Sequence, residues 1–338
     1  MAEYLCSETP DSLPSDFVRR LRAIVPKQHL DVVLASFAGE KQVAARINTL
    51  HISVPAALSC LHALGLSPRA LPFVAGALVF PSGQRSALLS SPLCAQGGLY
   101  LQGASSLLPA VVLNPQPQEE VLDMAAAPGG KTLQIACLMQ DRGRIAAVEA
   151  VRSRFFKLKA NVAAQGAQIV YCYHTDGATL WRKVPERFDR ILLDAPCSSE
   201  ARFRAGEGRS SAHWSLRKVE EMARKQKQLL HSAVHCLKPG GELVYSTCSL
   251  SPEENEAVIA RALAVFGEAL SVESIELRAA GEMAGSLGLA SAPTLVPGLT
   301  EWGRERFPDV IAKAVRVLPD YLYDGFFMCR LRKRESTR

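Results

Sequence analysis

V-L-D-M-A-A-A-P-G-G-K-T, Val121 to Thr132, divides into three parts. Apolar Val121 and Leu122 run into Asp123, small residues follow, and Pro128-Gly129-Gly130 lead into Lys131-Thr132 and another apolar segment. The pattern predicts a buried strand, a tight turn and a helix. Alanine and glycine let a ligand come close to the backbone, and a helix start beyond them leaves unpaired N–H groups facing it. Ala125, Ala126, Ala127, Pro128, Gly129, Gly130 and Lys131 are therefore the candidate cofactor loop. A Walker phosphate loop needs glycine where Ala125 stands, and the dinucleotide pattern G-x-G-x-x-G is absent. An ordinary strand-to-helix turn stays open from this stretch alone.

Working outward, strand alternates with helix. RIAAVEA (Arg144–Ala150), a helix from about Arg152 to Gln165, QIVYCYHTD (Gln168–Asp176), FDRILLDAPC (Phe188–Cys197), a long helix from Leu216 to Cys236 and GGELVYSTCSL (Gly240–Leu250) follow in turn. That rhythm predicts an α/β domain with right-handed crossovers, a parallel sheet and ligands beyond the carboxyl ends of the strands. PEENEAVIARALAVF (Pro252–Phe266) predicts one helix capped by Ser251, with Glu253, Glu254 and Glu256 favourable at its positive end. SVESIEL and DGFFMCRLRK (Asp324–Lys333) predict strands around a long loop, Ala279–Gly303. Upstream, two helices broken by Pro26, a strand at RINTL (Arg46–Leu50), a helix over Val54–Gly65 and a strand in GALVFPSG (Gly76–Gly83) form a small α+β unit. NPQPQ (Asn114–Gln118) is the clearest punctuation, although Ser105–Leu113 suits a helix already packed on the second unit; the units are placed at 1–95 and 96–335.

Asp123, Glu149, Asp176, Asp194 and Cys248 each close an apolar run. Glu149, at the second strand end, suits both hydroxyls of a ribose, and Asp176 could accept from an adenine amino group. A nucleoside without a pyrophosphate makes S-adenosylmethionine the leading cofactor over NAD. Each carboxylate taken singly serves a cap or turn equally well.

The 338 residues suit about two domains, and 48% hydrophobic with 21% charged residues reads as a soluble globular chain. Nine cysteines without a Cys-x-x-Cys pair argue against a disulfide framework and a zinc knuckle, so no metal is expected and a reducing, cytoplasmic setting is. The acidic start shows neither secretory signal nor transit peptide, and no stretch reaches membrane-spanning length. A net charge of +6 permits a nucleic-acid partner without requiring one.

Three segments then carry a resemblance. AAAPGGKT (Ala125–Thr132), DAPCS (Asp194–Ser198) and STCSL (Ser246–Leu250) are similar to three ordered motifs of the Sun-type RNA cytosine-5 methyltransferases, a family that includes bacterial small-subunit ribosomal RNA methyltransferases. RINTL, YLQGASSLLPA and RVLPDYLYDGFF (Arg316–Phe327) extend the likeness over nearly the whole chain. The resemblance implies a class I methyltransferase fold, Rossmann-like with a mostly parallel seven-stranded sheet, behind an RNA-binding N-terminal extension. It also implies a monomer acting on RNA, ribosomal RNA first and transfer RNA second.

Carbon 5 of cytosine is a poor nucleophile, so a thiolate must first add to carbon 6. The resemblance assigns that attack to Cys248 and product release to Cys197. Asp194 would hold the base edge, and Lys131 would orient Asp194 or the base while favouring a thiolate. Arg202, Arg204, Arg209 and Trp214 follow the Pro-Cys motif and could contact RNA. Departures are Glu149 where many relatives have Asp, Gly103 where an acid is common, and Ser199-Glu200-Ala201-Arg202 in place of a glycine-containing continuation. Two other classes remain open: a DNA cytosine-5 methyltransferase attacking through Cys197, and a non-catalytic RNA-binding assembly factor.

Overall fold

The computed structural model describes residues 13–278 and 287–337, so the acidic start of the chain and the first part of the 279–303 loop lie outside the described residues. In chain order the elements are α1 (Ser15–Ile24), α2 (Leu30–Ser36), β1 (Val43–Ile47), α3 (Val54–Ala63), β2 (Arg69–Ala70), β3 (Ala77–Phe80), α4 (Arg85–Leu89), α5 (Pro92–Ala95) and β4 (Leu99–Leu101). Next come α6 (Ala104–Leu113), β5 (Glu120–Asp123), α7 (Gly130–Leu138), β6 (Arg144–Glu149), α8 (Arg152–Ala164), β7 (Val170–His174) and β8 (Phe188–Asp194). The last group is α9 (Gly208–Ser211), α10 (Leu216–Cys236), β9 (Leu237–Thr247), α11 (Glu256–Phe266), β10 (Leu270–Glu273), β11 (Leu295–Pro297), the β12–β13 hairpin (Glu301–Trp302, Glu305–Arg306), β14 (Val315–Val317) and β15 (Phe326–Lys333).

The main sheet runs β7-β6-β5-β8-β9-β15-β14-β11, with β10 also on β15. Its five strands from β7 to β9 are parallel, and β15 joins β9 antiparallel, Phe327 opposite Thr247. Among the described residues nine strands stand where the resemblance implies seven, because β14 and the short β11 lengthen the antiparallel side. The strand order turns around β5, with β6 on one side and β8 on the other, which opens a crevice at the ends of β5 and β8. Strand periodicity sorts the core into two layers. Val121, Ile145, Ala147 and Leu192 face the layer of α6, α7 and α8, while Leu122, Ala146, Val148, Ile191 and Leu193 face that of α10 and α11.

The smaller sheet, β2-β3-β1-β4, is antiparallel throughout, and β4 pairs with β1. Helix α1 leaves that sheet and packs on the larger unit. Its stripe of Phe17, Val18 and Leu21 meets Phe203, Leu250 and Leu318. Burying a side chain such as Phe17 contributes about 1.5 to 3 kcal/mol.

Residues 252–266 depart from a single helix. Pro252–Glu254 form a 3₁₀ turn and α11 starts only at Glu256, with Asn255 between them at φ −118° and ψ −97°. Asn255 is buried and its side chain is committed to Thr247 Oγ1 at 2.6 Å and to the Ser249 carbonyl at 3.0 Å, so it caps the Cys248 turn instead of continuing a helix. Glu256 is also no solvated dipole partner: it is fully buried and grips Arg316, Nη2 to Oε2 at 2.5 Å. Lys333, at the end of β15, is buried with Nζ on Glu186 at 3.0 Å and on the carbonyls of Val234 and Leu237.

Candidate active site

The 121–132 stretch forms the expected strand, turn and helix at the crevice. Asp123 ends β5 fully inside the protein and accepts from Thr132 Oγ1 at 2.6 Å, which ties the two ends of the loop together. Burial pushes its carboxyl up to about 7, against the Thr132 hydrogen bond. Gly129 lies at φ +112°, a backbone conformation that calls for glycine, and a Cβ there would also press on Leu158 Cδ1 at 3.1 Å. The Ala127–Pro128 bond is cis.

A cavity of about 620 Å³ opens over this loop. Ala125–Pro128, Gly130 and Lys131 form one wall, Asp194–Cys197, Ser199, Arg202 and Cys248 another, and Tyr100, Gln102, Arg154 and Lys157 the rim. Glu149 ends β6 and is 3% exposed. Its Oε1 accepts from the Val151 N–H at 2.9 Å, while Oε2, 3.6 Å from Arg154, is buried without a hydrogen-bond partner. Arg154 also donates to the Ala127 carbonyl at 2.7 Å and so links Glu149 to the loop. Asp176 is exposed and caps the 3₁₀ turn 177–182 through the Ala178 N–H at 3.0 Å; it does not line the cavity.

Asp194 ends β8. Lys131 Nζ donates to its Oδ2 at 2.6 Å, Ser246 Oγ to its Oδ1 at 3.0 Å, and Lys131 is steadied by Ser106 Oγ at 2.8 Å. The Lys131 and Asp194 singled out in separate motifs thus form one ion pair. Beyond the ends of β8 and β9, Cys197 Sγ and Cys248 Sγ lie 3.2 Å apart, close enough for a shared proton. The S–H of Cys197 and the Arg202 guanidinium draw the Cys248 thiol down to about 7 against the effect of burial. The same contact, with burial, raises Cys197 well above the ordinary thiol range. Ser199 Oγ is 3.8 Å from Cys248 Sγ, on a residue held at φ +59°, the left-handed region where glycine is favoured.

Of the residues proposed for RNA contact, Arg202 lines the cavity, Arg204 lies 3.5 Å from Asp324, and Arg209 is exposed on α9. Trp214 packs edge-on against Phe17 and Phe203 and donates its indole N–H to Glu200 at 2.8 Å. Among the described residues no group of three or more His, Cys, Asp or Glu is arranged to hold a metal ion, and no helix is long and apolar enough to cross a membrane.

Sequence reading missed the polar floor beneath the thiols. Glu200 is 1% exposed and accepts from the Leu250 and Ser251 N–H groups, both at 2.9 Å, besides Trp214. Glu254 is fully buried and accepts from the Ser198 N–H at 2.9 Å, Gln226 Nε2 at 2.8 Å, Ser249 Oγ at 2.8 Å and the Ser198 hydroxyl. Burial raises the Glu254 carboxyl to about 7. The one signal in the sequence was the serine directly after each cysteine.

Comparison with known proteins agrees with this geometry. Residues 110–332 match the family described as 16S rRNA methyltransferase RsmB/F. The ribosomal RNA small subunit methyltransferase F of Aeromonas salmonicida is 40% identical over 269 residues, 78% of this chain and 56% of the relative. That of Serratia proteamaculans is 36% identical over 330 residues, 96% of this chain and 64% of the relative. The chain spans about three fifths of the length of these curated relatives. A methyltransferase homologue from Pyrococcus horikoshii has TM-score 0.74 at 30% identity, covering 95% of this chain and 100% of its own. NSun6 from the same organism, solved with SFG, has TM-score 0.75 at 21% identity over 96% of this chain and 100% of its own, and shares the fold. With that match spanning the crevice, both thiols and the Lys131–Asp194 pair, the chain belongs to the 16S rRNA methyltransferase RsmB/F family.

Proposed function

We propose that the protein transfers a methyl group from S-adenosylmethionine to carbon 5 of a cytosine in RNA, ribosomal RNA foremost, through a covalent Cys248 adduct. The observation that carries the reading is the thiol pair 3.2 Å apart beside the Lys131–Asp194 ion pair. The names of the relatives support ribosomal RNA as the substrate class.

The bound cofactor supplies an electrophilic methyl on sulfonium. Glycine and alanine at 125–130 give its body room against the backbone, and Glu149 Oε2, buried beside Arg154 without a hydrogen-bond partner, is an acceptor suited to a ribose hydroxyl. Cys248, its thiol made more acidic by the Cys197 S–H and the Arg202 guanidinium, adds its electron pair as the thiolate to carbon 6 of the target base. Asp194, fixed by Lys131 and Ser246, faces the base and favours protonation of the ring nitrogen as electrons move onto it. Once the Cys248 sulfur is bonded to carbon it no longer holds the Cys197 proton. Cys197 can then release that proton to solvent, and its thiolate takes the proton from carbon 5 as the C5–H electrons re-form the ring double bond and the C–S electrons return to Cys248.

The test is a denaturing gel of each cysteine variant incubated with cofactor and RNA or DNA. Cys248→Ala should lose all covalent capture, and Cys197→Ala should accumulate an RNA adduct without turnover. Capture that survives in Cys248→Ala and vanishes in Cys197→Ala would reverse the roles and favour the DNA-type mechanism.

A further inference from the structure

Cys197 lies three residues beyond β8 and Cys248 one residue beyond β9. Neighbouring parallel strands bring such loops near one another but do not fix the height of either turn. Some other contact must set two side chains from different loops 3.2 Å apart.

We propose that Glu254 is a positioning residue that clasps both loops from beneath, holding Ser198 next to Cys197 and Ser249 next to Cys248 with one carboxylate and so keeping the two sulfurs in contact. One carboxylate oxygen takes the Ser198 N–H and Gln226 Nε2, and the other takes the hydroxyls of Ser198 and Ser249. Glu254 is itself held. Gln226 on α10 spends its second amide proton on the Pro196 carbonyl at 2.9 Å, just ahead of Cys197, and Tyr245 on β9 donates to the Glu254 carbonyl at 2.6 Å. The clasp therefore spans β8, β9 and α10.

Glu200 faces the same floor and shares the Ser249 hydroxyl at 3.1 Å, but it belongs to the Cys197 loop and, besides Trp214, holds residues of the Cys248 loop alone. Glu254 grips both. The charged and titratable groups around the clasp are Glu200, Tyr245 and Cys197, and those around Cys248 are Cys197, Arg202 and Asp194.

Position and charge predict opposite signs. As a mere negative neighbour, Glu254 disfavours a thiolate, so its removal would make Cys248 more acidic. As a clasp it keeps the Cys197 S–H on Cys248, so its removal makes Cys248 less acidic. The inference rests on the proposed function for the role of Cys248, but its test uses neither cofactor nor RNA and stands if that function fails.

The experiment is alkylation of the full chain by iodoacetamide across pH, read cysteine by cysteine by mass spectrometry, in the wild type, Glu254→Ala and Glu254→Gln. Exposed Cys60 is the reference, and wholly buried Cys236 and Cys329 report any opening of the fold. The expected result is a Cys248 midpoint about one pH unit higher, hence about fivefold slower labelling at pH 7. Glutamine, unable to accept all four donors, shifts it the same way. A midpoint that stays or falls, in whichever variant leaves Cys236 and Cys329 unlabelled, overturns the clasp.

Discussion

Asp123 is 1% exposed, its carboxyl raised by burial to about 7 against the opposing Thr132 hydrogen bond and the nearby Lys131 charge. In the unfolded chain the same group ionises near 3.9. Between those values the native state holds a proton that the unfolded state has released, so the contribution of Asp123 to stability falls as pH rises from about 4 to about 7 and is level above. Asp123→Asn removes that dependence. Urea unfolding at pH 5 and pH 8 should show the variant gaining on the wild type by up to about 3 kcal/mol at the higher pH. A gap that does not change with pH would mean Asp123 is ionised throughout.

At the scale of elements, α11 and β14 are joined through the interior by Arg316 and Glu256, which also hold the carbonyl of Leu250 and the N–H of Leu299. Such a pair contributes little net stability while intact, but breaking one side leaves a charge buried. Arg316→Met should cost about 3 to 5 kcal/mol in chemical denaturation, and Arg316→Met with Glu256→Leu should recover most of it. A double variant as unstable as the single one would place the loss in packing. The pair also marks where sequence reading ends. The β5–turn–α7 unit was legible because local periodicity and glycine chemistry specify it, and so was the alternation of strand and helix. Motif likeness brought Lys131, Asp194, Cys197 and Cys248 forward. Glu200, Gln226 and Glu254 were not legible, since their meaning arises only where three distant segments converge. The break at Asn255 was hidden for the same reason: its side chain answers to Thr247 and Ser249, not to its helical neighbours.

Across the whole molecule, the N-terminal helices share a core with the loops that carry Cys197 and Cys248. Phe17 touches Phe37, Phe203 and Trp214, and Trp214 in turn bonds Glu200 beneath Cys248. Phe17→Ala should destabilise the chain by about 3 to 5 kcal/mol, and calorimetry should still show a single transition, because the damaged cluster belongs to both units. Two resolved transitions would show that α1 is an appendage.

The antiparallel seat of β15 beside β9 gives the protein a timetable. During synthesis β9 emerges about eighty residues before its partner, and at roughly 5 to 20 residues per second its edge waits on the order of 4 to 16 seconds. Thr247, paired with Phe327, is the residue before Cys248. The turn that carries the proposed nucleophile is thus among the last parts of the sheet to be secured as the chain is made.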